Sequence, residues 1–513
     1  SAIPMKSSLA KRTDILIVAA LLSLASTVVA QPSARPLDIQ GLDQFSITGV
    51  RCRAMGGTGV ASANDAFALF SNPAALAPSV FEIRAGDVFG ATMSQQTQEW
   101  VPMRPIPGLS VLFEGLTGTV KTPDSLGKPG LPLSAWSTLQ RQYDNIQPNW
   151  DKNSLGSHLF SLVAAMPLAV AGMNISAGIG VSQVISLDQY YQNNNSMSPY
   201  LGQERPDPFL ITNRNDTLHV KWYQYVRKRE GSVYGITPGL SISLLPGLRI
   251  GGSATLLTGS SDDNENRVDR GHINIAISNG TGTNFMVDTV YYNQSKVGTS
   301  KYSGTLLTFG LHFQQERYSI GLTIRAPMQI TRTWDRDVTS IDTTKKPFPV
   351  RIDNLTKRSF RESGKDYVNF PLAYSLGMLL RPTDKWTIAF DYELKRLADA
   401  ELTTLSNSTV SHPWVNSKGA MRLGAEYRAS DLLALRGGYR EDVQAFSPDG
   451  SAIIDEPARG GIYSFGAGID LGDIVVDLAC EFSILKYQDI YQSNVNYNTR
   501  EQHQVMMEIA YRF

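Results

Sequence analysis

Val505-Met506-Met507-Glu508-Ile509-Ala510-Tyr511-Arg512-Phe513 closes the chain, and its pattern decides the fold. Val505, Met507, Ile509, Tyr511 and Phe513 fall on one face of a strand, and Met506, Glu508, Ala510 and Arg512 on the other. Strict alternation gives a strand one greasy face and one wet face. The greasy face runs unbroken to a terminal aromatic residue. A soluble sandwich could turn such a face inward, and a membrane barrel would turn it toward lipid.

The pattern recurs in pairs. Tyr374, Leu376, Met378 and Leu380 alternate with Ser375, Gly377 and Leu379, Arg381-Pro382-Thr383-Asp384 makes a turn, and Trp386, Ile388, Phe390 and Tyr392 resume the alternation. A second pair carries Met421, Leu423, Ala425 and Tyr427, then Leu433, Leu435, Gly437 and Tyr439, with Arg422, Glu426, Arg436 and Arg440 on its other face. Such charges are costly in a dry core and ordinary in a wet or plugged lumen. The reading places strands at 79–92, 157–167, 171–185, 231–244, 248–259, 302–314, 317–331, 368–381, 385–397, 417–428, 432–443, 461–471, 474–488 and 501–513. Each approaches or exceeds the about 9–11 residues a tilted membrane strand needs. Short turns alternate with long loops, the asymmetry of outer-membrane barrels. The fold expected is therefore all-β, a 14-stranded antiparallel transmembrane barrel over 79–513 with both termini at the short-turn end.

Composition agrees. The 513 residues carry 47 Lys plus Arg and 47 Asp plus Glu, so no basic surface calls for a nucleic-acid partner. Lys6, Lys11 and Arg12, the apolar Ile15–Ala25 and the small residues Val28-Val29-Ala30 read as a cleaved signal peptide over 1–30, the mature chain starting at Gln31. The apolar run is too short for a comfortable anchor helix. Residues 31–78 precede the first strand and are too apolar for a free tail, so a plug inside the barrel is expected there.

That segment resembles a known family. Arg53-Ala54-Met55-Gly56-Gly57-Thr58-Gly59-Val60-Ala61, then Asn64-Asp65-Ala66, then Ser71-Asn72-Pro73-Ala74-Ala75-Leu76 look like the N-terminal hatch of the FadL/TodX outer-membrane transporters. The hatch residues are Gly56, Gly57, Gly59, Asn72, Pro73 and Ala74. The resemblance implies passive uptake of long-chain fatty acids or similar hydrophobic compounds, with sideways release at a kinked third strand. Gly178 and Gly180 stand where that opening is expected, glycine in a strand marking a bulge or a close approach. The motif also occurs in PorV-type barrels that partner a protein-secretion machinery, so that role and a structural one stand as alternatives.

Catalytic chemistry is not indicated. No Gly-x-Ser-x-Gly elbow and no His-Glu-x-x-His helix occurs, the six histidines are scattered, and Gly56-Gly57-Thr58-Gly59 lacks the Lys of a phosphate loop. No enzyme activity, cofactor or metal is expected. Asp262, Asn264 and Asn266 imitate a calcium loop, but Arg267 stands where glycine is needed, so they read as a solvated loop. His312 reads as a solvated pore residue, and Cys52 and Cys480 as unpaired. In the first long loop Trp100, Phe113, Leu133, Trp136, Leu139 and Tyr143 are apolar and partly at helical spacing. They pack loops together or form a greasy landing site for substrate. The expected partners are hydrophobic small molecules or lipids, the lipid and lipopolysaccharide of the outer membrane, and the barrel-assembly machinery. The last would read the strand ending at Phe513. Removal of Phe513 should lower the amount of folded, heat-modifiable barrel in outer membranes; normal assembly without it would contradict this reading.

Overall fold

The computed structural model describes residues 41–46, 49–100, 150–155, 160–170, 173–201, 217–278, 282–288, 292–342, 356–404, 409–412, 414, 419–445, 458–491 and 494–513. Fourteen antiparallel strands close into a barrel. In chain order they are β1 (Glu82–Trp100), β2 (Trp150–Leu155 and Ser161–Val170), β3 (Met173–Ser186 and Gln189–Leu201), β4 (Thr217–Leu245) and β5 (Leu248–Ser278). Then come β6 (Tyr292–Gln314), β7 (Tyr318–Arg325 and Met328–Asp342), β8 (Thr356–Phe370 and Ala373–Leu380), β9 (Trp386–Lys395) and β10 (Ala420–Arg428). Last are β11 (Leu433–Val443), β12 (Arg459–Asp470), β13 (Ile474–Tyr491) and β14 (Asn494–Arg512). Each pairs with its sequence neighbours, and β14 pairs with β1 from Glu82↔Arg512 to Trp100↔Val495, closing the ring. Closure leaves no strand edge in lipid, the one sheet solution a bilayer tolerates.

The terminal strand behaves as its alternation requires. Val505, Ile509 and Tyr511 point outward and are exposed, whereas Met506, Glu508 and Ala510 are buried inside. The same outward exposure recurs at Leu376 and Met378 on β8, Phe390 on β9, Leu423 on β10 and Phe465 on β12. In a bilayer these residues contact lipid. The short-turn rim is aromatic: Phe81 and Phe513 lie 5.0 Å apart, and Trp386 and Tyr427 4.8 Å apart. Amphipathic rings favour a membrane interface, so this rim marks one edge of the bilayer.

Sequence periodicity understates several strands. β4 has 29 residues and β5 has 31. Both run well past the about 9–11 needed to cross. Their polar continuations pair with each other, and the sheet goes on beyond the apolar band as β5 pairs with β6, β6 with β7 and β7 with β8. Asp262, Asn264 and Asn266 are therefore paired strand residues, opposite Glu230, Lys228 and Val226, and form no calcium loop. Cross-strand pairing holds them where alternation of hydrophobicity has faded.

Residues 49–76 fill the ring. They contain two short helices, α1 (Val50–Ala54) and α2 (Ala68–Ser71), and a 3-10 turn at Pro73–Ala75. Inward positions on every strand meet this segment. Glu82 of β1 accepts from Ala66 N, Val163 of β2 packs in the same apolar cluster as Leu76, Ser241 of β4 donates to Ala74 O, and Asp391 of β9 accepts from Gly59 N and Val60 N. Glu426 of β10, Glu481 of β13 and Glu508 of β14 bind Arg51, Arg53 and Val50 N in turn. A segment touching the whole circumference from within occupies the lumen.

Room for it comes from cross-strand glycine pairs. Gly178↔Gly239, Gly251↔Gly310, Gly321↔Gly377 and Gly424↔Gly438 lie on β3/β4, β5/β6, β7/β8 and β10/β11. A Cβ at Gly438 would collide with the backbone of Gly56, and one at Gly251 with Pro73 and Ala74. Gly56 itself has φ 68, a left-handed conformation where side chains are strained. Gly438→Val should therefore displace the plug. The expected result is an assembled barrel with raised leak of small sugars in liposome-swelling assays. A cost of ~1–3 kcal/mol for overpacking is expected. An unchanged leak would contradict the close fit.

Candidate functional site

The site is the upper lumen, between the plug and the long-loop end. Its floor is held by an ion-pair network. Arg84 of β1 lies 2.5 Å from Glu82, 2.8 Å from Glu508, 3.6 Å from Asp477 and 3.9 Å from Asp65. Arg436 joins Asp477 to Glu426, which holds Arg51 at 3.2 Å. One guanidinium thus gathers carboxylates from β1, β13, β14 and the plug. Buried charges need such partners, and removal of one leaves the rest uncompensated.

The predicted hatch residues form one side of this floor. Asn72 is fully buried: its Oδ1 accepts from Ala74 N at 3.1 Å, and its Nδ2 donates to Val60 O at 2.7 Å and Leu311 O at 3.2 Å. One amide therefore caps the Pro73–Ala75 turn, ties it to the glycine stretch and fastens both to β6. Pro73 and Ala74 stand against Gly251, and Gly59 donates to Asp391 at 2.7 Å. His312 is buried, its Nε2 3.3 Å from Ala61 O, so it is a plug contact and not a solvated pore residue. The plug fills the space that alternation alone assigns to water.

Cys52 and Cys480 are both free. Burial pushes the Cys52 thiol well above the ordinary thiol range. Of the loop residues, Trp100 ends β1, while Phe113, Leu133, Trp136, Leu139 and Tyr143 lie outside the described residues.

Above the floor is a cavity of about 600 Å³. Charged side chains dominate one part of its wall, among them Arg422, Arg440, Glu393, Lys395 and Asp43. Burial raises the Asp43 carboxyl above its usual range, against the lowering effect of a hydrogen bond to its own backbone and of nearby Lys395. Beside the cavity lies an apolar cluster that includes Leu42, Leu187, Met328, Phe370, Leu397 and Trp414, with Phe45 packed against it. The upper lumen thus offers polar and apolar surfaces side by side. Alternation already places Arg422 and Arg440 on the inner face, whereas the apolar cluster was not anticipated from sequence, because its residues come from distant strands.

Gly178 and Gly180 do not mark a break. β3 pairs with β2 from Val170↔Met173 to Ser161↔Ser182 and with β4 from Ile175↔Ile242 to Gln183↔Tyr234, without interruption at either glycine. A Cβ at Gly178 would stand 3.3 Å from Leu76, and one at Gly180 would press on Phe70, so both make room for the plug. The irregularity comes later, at Val184, where the β3–β4 register shifts between Gln183 and Ile185. A second shift occurs on β1 between Val88 and Gly90. The two flank one position: Ser161 pairs with Gly86 on β1 and with Ser182 on β3. The plug end reaches this place. Ser46 N donates to Val184 O at 2.7 Å, and Phe45 bridges to Ile185. A sequence signal exists: inward positions are even through Gly178, Gly180 and Ser182, then odd at Ile185 and Leu187.

No family model matches the chain, and no curated protein matches it. Solved structures do. A Pseudomonas aeruginosa FadL homologue is 13% identical with a TM-score of 0.54, over 92% of this chain and 99% of its own. The P. putida toluene transporter TodX is 14% identical with a TM-score of 0.51, over 91% and 98%. The CymD monoaromatic hydrocarbon channel is 12% identical with a TM-score of 0.50, over 92% and 99%. The chain has the fold of the FadL and TodX channels. It is an outer-membrane barrel; barrels of this kind turn their short-turn rim to the periplasm. Among the described residues no group of His, Cys, Asp and Glu is placed to hold a metal.

Asn72→Ala should loosen the turn and release its tie to β6 while leaving the barrel strands paired. Cys52 then reports it: the wild-type thiol should resist a maleimide in the assembled barrel, and the variant should be labelled. Equal protection in both would show that Asn72 does not hold the plug.

Proposed function

We propose that this protein is a passive channel for hydrophobic and amphiphilic compounds, long-chain fatty acids being the first candidate, and that cargo leaves sideways through the wall around Ser161. One observation carries the reading: the lumen is filled across all its strands by residues 49–76, while the wall beside the cavity is irregular on both sides of Ser161. A straight path down the axis is closed, so cargo entering the upper lumen needs a lateral way out. The chemistry favours that way. Each methylene released into water costs about 0.8 kcal/mol, whereas lipid receives it at little cost. Phe160, Leu162 and Phe89 are exposed on the outer face there. They would offer apolar surface to cargo on leaving.

The charged part of the cavity suits a polar headgroup, and the apolar cluster around Phe370 suits a chain or ring. The names of the structural neighbours, a toluene transporter and a monoaromatic hydrocarbon channel, support hydrophobic cargo. Residues 31–78 act as the hatch in this reading, following export directed by residues 1–30.

A second reading rests on β4 and β5, whose 29 and 31 residues extend a paired sheet beyond the bilayer. That surface suits a protein partner, as in PorV-type barrels, and stable co-purification with a large translocon would favour it.

Deleting Val184 should restore the β3–β4 register. The expected outcome is normal assembly with oleate uptake slowed by about tenfold, the effect of a barrier raised by ~1.4 kcal/mol. Unchanged uptake by a correctly assembled variant would exclude release at this bulge.

A further inference from the structure

A second interruption lies elsewhere in the wall. β7 breaks between Arg325 and Met328, at Ala326-Pro327, and β8 breaks between Phe370 and Ala373, at Pro371-Leu372. The breaks face each other, because Arg325 pairs with Ala373 and Met328 with Phe370. Each contains a proline, and proline cannot donate to the ladder. The β6 side is irregular too. Ala326 N donates to Leu307 O at 3.0 Å, and pairing resumes at Ile330↔Gly304. Pro327, Met328 and Gln329 therefore stand against only Thr305 and Leu306, a bulge that bends the strand.

The height of this gap is informative. Leu307, Ile324, Leu372 and Tyr374 are exposed on the lipid side around it. One step further toward the long loops, Gln329 donates to Asn369 at 2.9 Å in an exposed amide pair. The gap thus sits at the outer edge of the apolar band, where acyl chains begin. On the inner side is a small apolar cavity of about 30 Å³ lined by Phe45, Leu306, Met328, Phe370 and Leu397. Phe45 lies at 5.9 Å from Phe370, ring to ring, and belongs to the segment bridged to β3. Arg325, Lys395 and Arg396 stand at its rim. Arg325 and Lys395 are engaged by Glu393, and Arg396 by Asp399.

We infer that the facing prolines Pro327 and Pro371 form a second port, through which an alkyl chain reaches from the outer part of the bilayer into the apolar cluster of the lumen. The chain takes the place of the Phe45 ring, and the segment carrying Phe45 has room to yield into the larger cavity beside it. The missing ladder bonds are what make the wall passable here, since neither proline offers an N–H that would be lost. The chain can belong to a free hydrocarbon or to a lipid. This port does not depend on release at Ser161.

The test uses the full barrel in lipid vesicles with two photoreactive probes, a diazirine-bearing dodecane and a phosphatidylcholine with the diazirine in its acyl chain. Adducts are mapped by mass spectrometry. Labelling of Phe45, Met328, Phe370 or Leu397 is expected from at least one probe. Dodecane alone would identify free hydrocarbon as the occupant, and the phospholipid would identify bilayer chains. A Cys480→Ala protein carrying Ala326→Cys and Leu372→Cys can be stapled across the gap by oxidation. Oxidation should cut these adducts about tenfold, a barrier effect of ~1.4 kcal/mol, and reduction should restore them. No adduct at the four residues with either probe would make the prolines a structural break only. Adducts unaffected by the staple would mean that chains arrive from the cavity, and either result overturns the port. Adducts around Ser161, scored in the same digests, report the other exit independently.

Discussion

The structure depends on the fit between residues 49–76 and a belt of small inward residues on the barrel. A fourteen-stranded ring is too wide for its own side chains to fill and leaves a pore unless something else occupies it. Here the inward faces are cut back to glycine at cross-strand pairs such as Gly424↔Gly438 and Gly321↔Gly377, so backbone meets backbone. Close packing of this kind excludes water, and exclusion raises the cost of any unpartnered polar group. Arg84 among Glu82, Glu508 and Asp477, Asp391 Oδ2 on Gly59 and Val60, and Asn72 between Val60 and Leu311 answer that requirement at these atoms. Each removes a charge or amide from solvent and supplies its bonds from a different strand.

In the proposed function, residues 49–76 close the axis, the wall becomes the remaining route, and its irregularities acquire meaning. A regular barrel wall satisfies every amide and admits nothing. The shifts at Val88/Gly90 and Gln183/Ile185 locally give up that regularity, and the plug end compensates by donating Ser46 N to Val184 O. The same contact joins the plug end directly to the wall. Phe45 links this place to the apolar cluster around Phe370, so bulge, plug and cavity share one short segment.

Much of the fold was legible because lipid imposes a strong period-two signal. Val505, Ile509 and Tyr511, or Leu376 and Met378, must be apolar wherever lipid touches them, and all fourteen strands were found in order. Strand length was less legible. Beyond the bilayer both faces of β4 and β5 meet polar surroundings, so the alternation that reveals a strand disappears while its hydrogen bonds continue. Of the site, the plug motif was legible and its contacts were not. Asn72 and Gly56 announce tight turns, yet nothing local says that Leu311 or Gly438 receives them. Gly178 and Gly180 misled for the same reason: a glycine serving a close approach looks identical in sequence to one serving a bulge. The phase change between Ser182 and Ile185 was the better sign.

The most direct test of a sealed lumen with a side exit is a crystal structure with 16-bromohexadecanoate bound, located by the anomalous signal of bromine. The account predicts bromine peaks in the upper cavity and at the wall near Ser161, with residues 49–76 still in place. Peaks on the axis at the periplasmic mouth, reached past a displaced plug, would contradict it.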